Sequence, residues 1–320
     1  MDPDRTPTLA AIVPATDNRA TLARCLAAIG AAREPPEEVI AVTEPQGSGP
    51  AAARNAGAAR ARSDVLVFID SDVLVHDDVF ARLRRAFSAD PQLSAIFGSY
   101  DETPEASGVV SGFRNLLHHH VHQSSAGRAV TFWCGLGAVR RQAFELVGGF
   151  DQRLFSAPSV EDIDLGLRLS SNGSVTLLDP ELQGTHLKRW TLPEMVRVDF
   201  ARRGMPWVAL LLREARGTVT DAAAPRPVGA LNLSWRHRLS ALASLIAVAA
   251  LVLRRPRAAI LAMASLIGLN RGFYSLLAGR LGPRGIAAGI PLHMLHHLTG
   301  LAAAPAGLLL HLRWRRSTRA

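Results

Sequence analysis

Through the front of the chain, short apolar runs alternate with segments of helical spacing. Leu9 to Val13 is an unbroken apolar run closed by Pro14, and Leu22, Leu26 and Ile29 then recur at helical intervals across residues 21–29, so a strand, a turn and a helix are predicted. Val39 to Val42 predicts a second strand running into the turn-rich EPQGSGP. Ala51 to Ala61 predicts an Ala-rich helix, and Val65 to Ile69, apolar at every position, a strand buried on both faces. Strands alternating with helices imply an α/β fold with a mainly parallel, doubly covered sheet. Ligands of such sheets gather beyond the carboxyl ends of the strands, where Pro14, Glu44 and Asp70 fall.

Residues 101–128 are polar and read as irregular, with His118, His119, His120 and His122 clustered. A helix is predicted near Arg140 to Val147, ended by Gly148 and Gly149. Another is predicted over Val160 to Ser170, and a strand over Val175 to Leu178. Beyond Trp207 the composition shifts. AAAPRPVGA at 222–230 reads as a linker, and apolar stretches follow at Leu239 to Leu253, Ala258 to Leu269 and Ile286 to Leu312. Only the last clearly reaches the roughly 20 residues that a spanning helix needs, and it contains His293, His296, His297 and two prolines. The expected organisation is an α/β domain over 1–221, a linker over 222–238 and a membrane anchor of two to three apolar helices over 239–320.

Charge sharpens that division. The net charge is +9, yet residues 231–320 hold 12 Arg and no Lys, Asp or Glu, while all 27 acidic residues lie in 1–230 with the other 24 basic ones. Apolar runs interleaved with arginine are what a bilayer segment with cytoplasmic basic flanks displays. A phosphate-binding groove would not alternate with such runs, so nucleic acid is excluded as a partner. The N-terminus, MDPDRTPTLAAIVPA, puts acids and prolines before a short apolar run, unlike a cleaved secretory signal. The front domain is expected to face the cytoplasm, with the anchor in the plasma membrane. Cys25 and Cys134 give no metal-ligand spacing and fit a reducing compartment.

The strongest local chemical signal is VLVFIDSDV at 65–73, an apolar strand that delivers Asp70 and Asp72 at its end. Two carboxylates so placed can hold a hard divalent cation that itself binds a diphosphate. A dinucleotide-binding turn is excluded, because VPATDNRA at 13–20 contains no glycine.

IVPATDNRATLARCL (12–26), AAARNAGAARARSDVLVFIDSDV (51–73), GLGAVRRQAFELVGGFD (135–151) and VEDIDLGLRL (160–169) together resemble the inverting family-2 glycosyltransferases. They stand in that family's order and at plausible spacing, and the tail of membrane segments is family-like as well. The resemblance implies the nucleotide-diphospho-sugar (GT-A) fold over residues 1–221. It implies a UDP- or GDP-sugar donor and a lipid or lipid-linked glycan acceptor. Asp70 would contact the ribose or the metal, and Asp72 would ligate Mg2+ or Mn2+ on the donor phosphates. Pro14 and Arg54 would line the nucleotide pocket. Where many relatives carry an acidic pair after the second strand, this chain has Thr43 and Glu44, so Glu44 alone can recognise the base. Glu161 and Asp162 match the catalytic acidic pair, with Asp162 as the general base that takes the acceptor hydroxyl proton; Glu161 is either a second functional acid or its support.

Several residues carry two readings. His186, in LQGTHLKRW, either completes the metal site or is a hydrogen-bonded histidine at a domain edge. Trp133 and Gly135, beside Cys134, either shape the acceptor floor or pack in the core. Arg203 and Trp207, with Trp190 and Arg202, either form a clamp on the acceptor side or pack at the surface. Asp164 and Arg168, four apart on a helix, are expected to pair on the surface. HHHVHQ at 118–123 places His118 and His122 on one helix face, but no carboxylate or cysteine nearby completes a zinc site; a polar acceptor-side or membrane-near segment is expected.

Overall fold

The structure is a computed structural model and describes residues 5–17, 19–217 and 234–317. In chain order its elements are β1 (Leu9–Pro14), α1 (Leu22–Ala31), β2 (Glu38–Val42), α2 (Pro50–Arg60), β3 (Val65–Ile69), β4 (Val73–Val75), α3 (Val79–Ala89), β5 (Leu93–Tyr100), α4 (Val109–Gln123), β6 (Gly127–Ala129), β7 (Leu136–Arg140), α5 (Arg141–Leu146), α6 (Glu161–Ser171) and β8 (Val175–His186). The remainder is helical: α7 (Leu192–Arg197), a π-helical segment (Val198–Gly204), α8 (Met205–Gly217), α9 (Trp235–Val252), α10 (Pro256–Leu269) and α11 (Arg271–Ser317). The chain divides into two compact units, Met1–Asp101 with Val121–Lys188, and Glu102–His120 with Arg189–Ala320.

The first unit is built on one sheet in the order β2-β1-β3-β7-β5-β8-β4, with β6 added beside β8. The α/β class stands. The sheet is mixed: β1 runs parallel to β2 and β3, and β5 to β8, while β7 enters antiparallel between β3 and β5. The sequence predicts no strand at LGAVR, the run that forms β7, because five apolar-rich residues directly before a helix carry no period of their own. β3 is buried along its whole length. One face meets Ile29, Phe80, Leu83 and Phe87 from α1 and α3; on the other, Phe68 packs against Phe144 and Phe150 with ring centroids 5.5 and 5.1 Å away. The small residues of α2 let it lie directly on the sheet, where a Cβ on Gly57 would stand 2.4 Å from Ile12 Cγ2. The register pairs Ile12 with Phe68 and Pro14 with Val42, so the ends of β1, β2 and β3 are level and present Pro14, Glu44 and Asp70 together.

In the second unit, residues 109–120 form most of α4, where the sequence reading expected irregular chain. Phe113 and Leu116 are fully buried, and Phe113 packs on Phe273 at 5.6 Å; the apolar face was hidden by the histidines and polar residues between those positions. The expected linker lies outside the described residues as far as 233, and its last residues open α9 behind the Ser234 cap. Among the described residues, α9 is the one helix long and apolar enough by itself to cross a membrane. α10 and α11 pass that test only as a pair bent by 82°. α11 is interrupted at Gly282, whose φ of 66° breaks the helical path. The buried side of α9 and α10 is Ala243, Ala247, Ala262 and Leu266, while Leu242, Leu245, Ile246 and Leu261 remain 45 to 69% exposed.

At the end of β5 in the first unit, His76 Nε2 lies 3.0 Å from Asp101 Oδ2. That hydrogen bond raises the His76 pKa above its ordinary 6.5, against the opposing effect of partial burial. A raised folded-state value means the pair's stabilisation is complete below about pH 6.5 and is lost as the pH climbs through the folded value. The melting midpoint of His76→Gln is therefore expected to fall below that of the unaltered chain near about pH 6, with the gap closing toward about pH 9. A gap that widens with pH would show that the pair does not act this way.

Candidate active site

Arg54 brings the acids of the first unit together. It projects from the middle of α2 and is 3% exposed. Its NH2 donates to Asp70 Oδ1 at 2.7 Å and its NH1 to Glu161 Oε1 at 2.9 Å. One guanidinium thus joins the end of β3 to the start of α6. Burial by itself would lower the Arg54 pKa, and the surrounding acids Asp70, Glu161 and Asp162 raise it instead, so the guanidinium stays charged. Burial pushes the Asp70 carboxyl above its ordinary value; Arg54 opposes the rise and Asp72 adds to it.

Asp72 and His186 meet because β4 and β8 pair antiparallel with Val73 opposite His186. His186 Nε2 lies 3.5 Å from Asp72 Oδ2. Burial raises the Asp72 carboxyl, but the hydrogen bond and charge of His186, with Lys188, outweigh it and hold the pKa below its usual value. The His186 ring, 4% exposed, is stacked on Tyr100 with centroids 4.1 Å apart and 9° between planes. Trp133 meets Tyr100 edge-on at 4.8 Å. Gly135 is required for that arrangement, since a Cβ there would stand 2.2 Å from the indole; its carbonyl also accepts the Asp70 N–H at 3.1 Å.

The two adjacent acids at the start of α6 have opposite surroundings. Glu161 is 4% exposed and both its oxygens are held, Oε1 by Arg54 and Oε2 by the Ser159 N–H at 2.8 Å. Asp162 is half-buried, with Oδ1 accepting the Ile163 N–H at 2.8 Å and Oδ2 facing Cys134. Gly166 lets α6 approach this closely, because a Cβ there would lie 2.2 Å from the Phe132 backbone nitrogen. Asp164 and Arg168 do pair, at 2.8 Å, but Asp164 is 2% exposed rather than on the surface: the first turn of α6 faces inward.

Pro14 is buried at the end of β1, whereas Glu44 is exposed and bound to Arg19 at 2.6 Å. The histidines of 118–123 divide: His122, in the first unit, has Nδ1 2.8 Å from the Gly98 carbonyl oxygen, and His118 to His120 belong to the second. Among the described residues no three His, Cys, Asp or Glu side chains converge as a metal cage. Arg203 and Trp207 lie in the second unit, Arg203 exposed in the π-helical segment and Trp207 half-buried in α8. The sequence reading missed a polar network in that unit. Arg114 and His296 both lie 2.8 Å from Asp199, and although burial raises the Asp199 carboxyl, they hold its pKa far below the ordinary value. Arg114, Asp199 and His296 come from three separate helical segments, the last two 97 positions apart, with no spacing to link them.

Arg54→Met removes the shared partner of two carboxylates. It is expected to destabilise the chain by about 3–5 kcal/mol, the usual cost of leaving a buried charge uncompensated, read as a lower denaturation midpoint with an unchanged denaturant slope. A loss below about 1 kcal/mol would place the pair among weak surface contacts instead.

The family model Glycosyl transferase family 2 matches residues 14–148. Among solved structures, the mannosyltransferase PcManGT from Pyrobaculum calidifontis, in complex with GDP-Man and Mn2+, is 17% identical with a TM-score of 0.55, over 95% of this chain and 88% of that one. GalNAc-T7 with UDP, GalNAc and Mn2+ is also 17% identical, with a TM-score of 0.45, over 58% of this chain and 44% of that one. No curated protein matches significantly. The matched segment contains Pro14, Glu44, Arg54, Asp70, Asp72, Trp133 and Gly135, and ends before Asp162 and His186. Over residues 14–148 the chain is similar to glycosyl transferase family 2, and its α/β sheet has the GT-A fold.

Proposed function

We propose that the chain is an inverting, divalent-metal-dependent glycosyltransferase that moves a sugar from a UDP- or GDP-sugar to a lipid or lipid-linked glycan. The observation that carries this reading is the Arg54 bridge, which ties the donor-side acid Asp70 to the helix that presents Asp162. Donor binding falls to Pro14 and Arg54 around the nucleotide, Glu44 at the base, and Asp70 and Asp72 toward the diphosphate.

The residues present fit a divalent ion. Three acids, Asp70, Glu161 and Asp162, surround a single buried arginine, and Asp72 and His186 offer an oxygen and a nitrogen facing each other at 3.5 Å. Two side-chain ligands suit Mg2+ or Mn2+, which draw their remaining ligands from substrate phosphates and water. When bound, such an ion neutralises charge developing on the leaving nucleotide diphosphate.

Asp162 Oδ2 takes the proton of the acceptor hydroxyl as the new glycosidic bond forms and the bond to the diphosphate breaks on the opposite face of the sugar. Glu161 and Arg54 keep α6 in place. Trp133 and Gly135 shape the acceptor floor. The exposed leucines of α9 and α10, with Arg254 and Arg255 between those helices and Arg257 in the first turn of α10, support a plasma-membrane location with the basic turn on the cytoplasmic side. That is also the support for a lipid-borne acceptor.

Turnover of UDP- and GDP-sugars with Mn2+ or Mg2+ and membrane lipid extract tests the assignment. Asp162→Asn is expected to cut transfer by about a hundredfold or more while donor binding survives. Equal turnover by both proteins would remove Asp162 from the chemistry. Absence of donor binding in both would favour a scaffold that keeps the fold without the reaction.

A further inference from the structure

The loops that follow β1 and β2 are laced together where those strands end level. The Ala15 N–H donates to the Val42 carbonyl at 2.8 Å, and the Gly47 N–H to the Thr16 carbonyl at 3.3 Å. Arg19 makes a third crossing. Its Nη2 donates to the Thr43 carbonyl and, at 2.6 Å, to Glu44 Oε1. Glu44 Oε2 accepts the Gln46 N–H at 3.1 Å, so the carboxylate is oriented from both sides by one donor on each oxygen. Each oxygen keeps a second lone-pair site. The Arg19 hydrogen bond holds the Glu44 carboxyl below its ordinary value, so at neutral pH the group is ionised and only accepts. Among the described residues Arg19 Nη1 and Nε have no partner, and the Arg19 and Glu44 side chains are 42 and 68% exposed. An exposed ion pair adds little to stability, but an open row of oriented donors and acceptors is able to read a ligand.

We propose that Arg19 and Glu44 together select guanine, which makes the donor a guanosine-diphospho-sugar and Arg19 a specificity-determining residue. The inference rests on Glu44 standing at the base in the function proposed above. Along the pair the order is donor, acceptor, acceptor: the unspent guanidinium N–H groups, then Oε1, then Oε2. The pairing edge of guanine is its complement, since O6 accepts while N1–H and the 2-amino group donate. Each Glu44 oxygen then receives one N–H and the guanidinium meets O6, all three bonds being charge-assisted. Uracil offers one N–H between two carbonyl oxygens. One of those carbonyls would face a Glu44 oxygen, acceptor against acceptor, and both would lose water without a replacement bond. Adenine and cytosine fit no better, because each places an acceptor nitrogen where guanine has N1–H. A site built to receive an N–H discriminates strongly against a ligand that lacks it.

The test is equilibrium binding of GDP, UDP and inosine diphosphate to the full chain in the presence of Mn2+. Inosine diphosphate keeps O6 and N1–H but lacks the 2-amino group. GDP is expected to bind about ten- to a hundredfold more tightly than UDP, and inosine diphosphate about tenfold more weakly than GDP for the loss of one charge-assisted bond. These comparisons use the unaltered chain and so do not depend on a variant folding. Arg19→Met is expected to weaken GDP and inosine diphosphate by the same factor, about tenfold, because both carry O6. Glu44→Gln, which puts a donor where an acceptor stood, is expected to bring the affinities of GDP and inosine diphosphate together and to remove most of the advantage over UDP. A loop merely loosened by either change would leave the ratio between GDP and inosine diphosphate where it was. UDP or inosine diphosphate binding as tightly as GDP overturns the choice of guanine while the nucleotide site stands. GDP affinity unchanged in Arg19→Met overturns the role of Arg19. If none of the three nucleotides binds, the donor site itself fails and this proposal with it.

Discussion

A buried guanidinium held between two carboxylates is the constraint on which the rest of the first unit's site depends. Arg54, Asp70 and Glu161 come from α2, the end of β3 and the first turn of α6, and no pair of them is adjacent in sequence. Removing a charge from water is costly, and the cost is offset here only if both carboxylates arrive in hydrogen-bonding geometry. The ion pair therefore acts less as a source of net stability than as a condition on register. It is met when α2 lies flat on β1, which its Gly57 permits, and when α6 lies close over residues 131–132, which its Gly166 permits. Asp72 and Asp162 are then placed by their neighbours in the chain.

The parts of this site legible in the sequence were those with a local cause. VLVFI is apolar throughout, so a doubly covered strand ending in Asp70 and Asp72 follows from periodicity, and the level ends of β1, β2 and β3 follow from parallel connection. The partner of Arg54 did not follow, because Glu161 is more than a hundred positions away and nothing in either segment names the other. The same holds for His186, whose approach to Asp72 is set by the pairing of a three-residue strand with a long one. β8 itself was read short: it continues from Leu178 through Asp179 and Pro180 to His186, and a polar residue followed by proline ordinarily ends a strand. The difference in surroundings between Glu161 and Asp162 lies entirely in tertiary structure.

The second unit inverts the usual distribution of residues. Ser240 and Ser244 are fully buried in α9, and Asn270 donates to Ser240 Oγ at 2.8 Å, while leucines occupy the outer face. Charge segregation made the tail recognisable as a distinct region, but a fifteen-residue stretch that is apolar except for Ser240 and Ser244 does not declare which side faces inward. Small and polar residues inside with large aliphatic ones outside is the pattern of helices whose surroundings are themselves apolar, where close backbone approach and hydrogen bonds take over from hydrophobic burial. The Asp199 network, with Arg114 and His296, gives the unit a polar centre.

The course of the chain through α4 has a consequence for how the protein is made. The chain leaves the first unit after Asp101, contributes residues 102–120 to the second and returns at Val121. Phe113 is thus synthesised half a chain length before Phe273, the ring it packs against. On the ribosome, the apolar face of α4 has to wait through the completion of the sheet, exposed or shielded by a chaperone, until the last helices emerge. Closure of this helix is non-local, and slow non-local closure is where aggregation competes with folding. A fragment cut after the sheet would carry α4 permanently in that unfinished state.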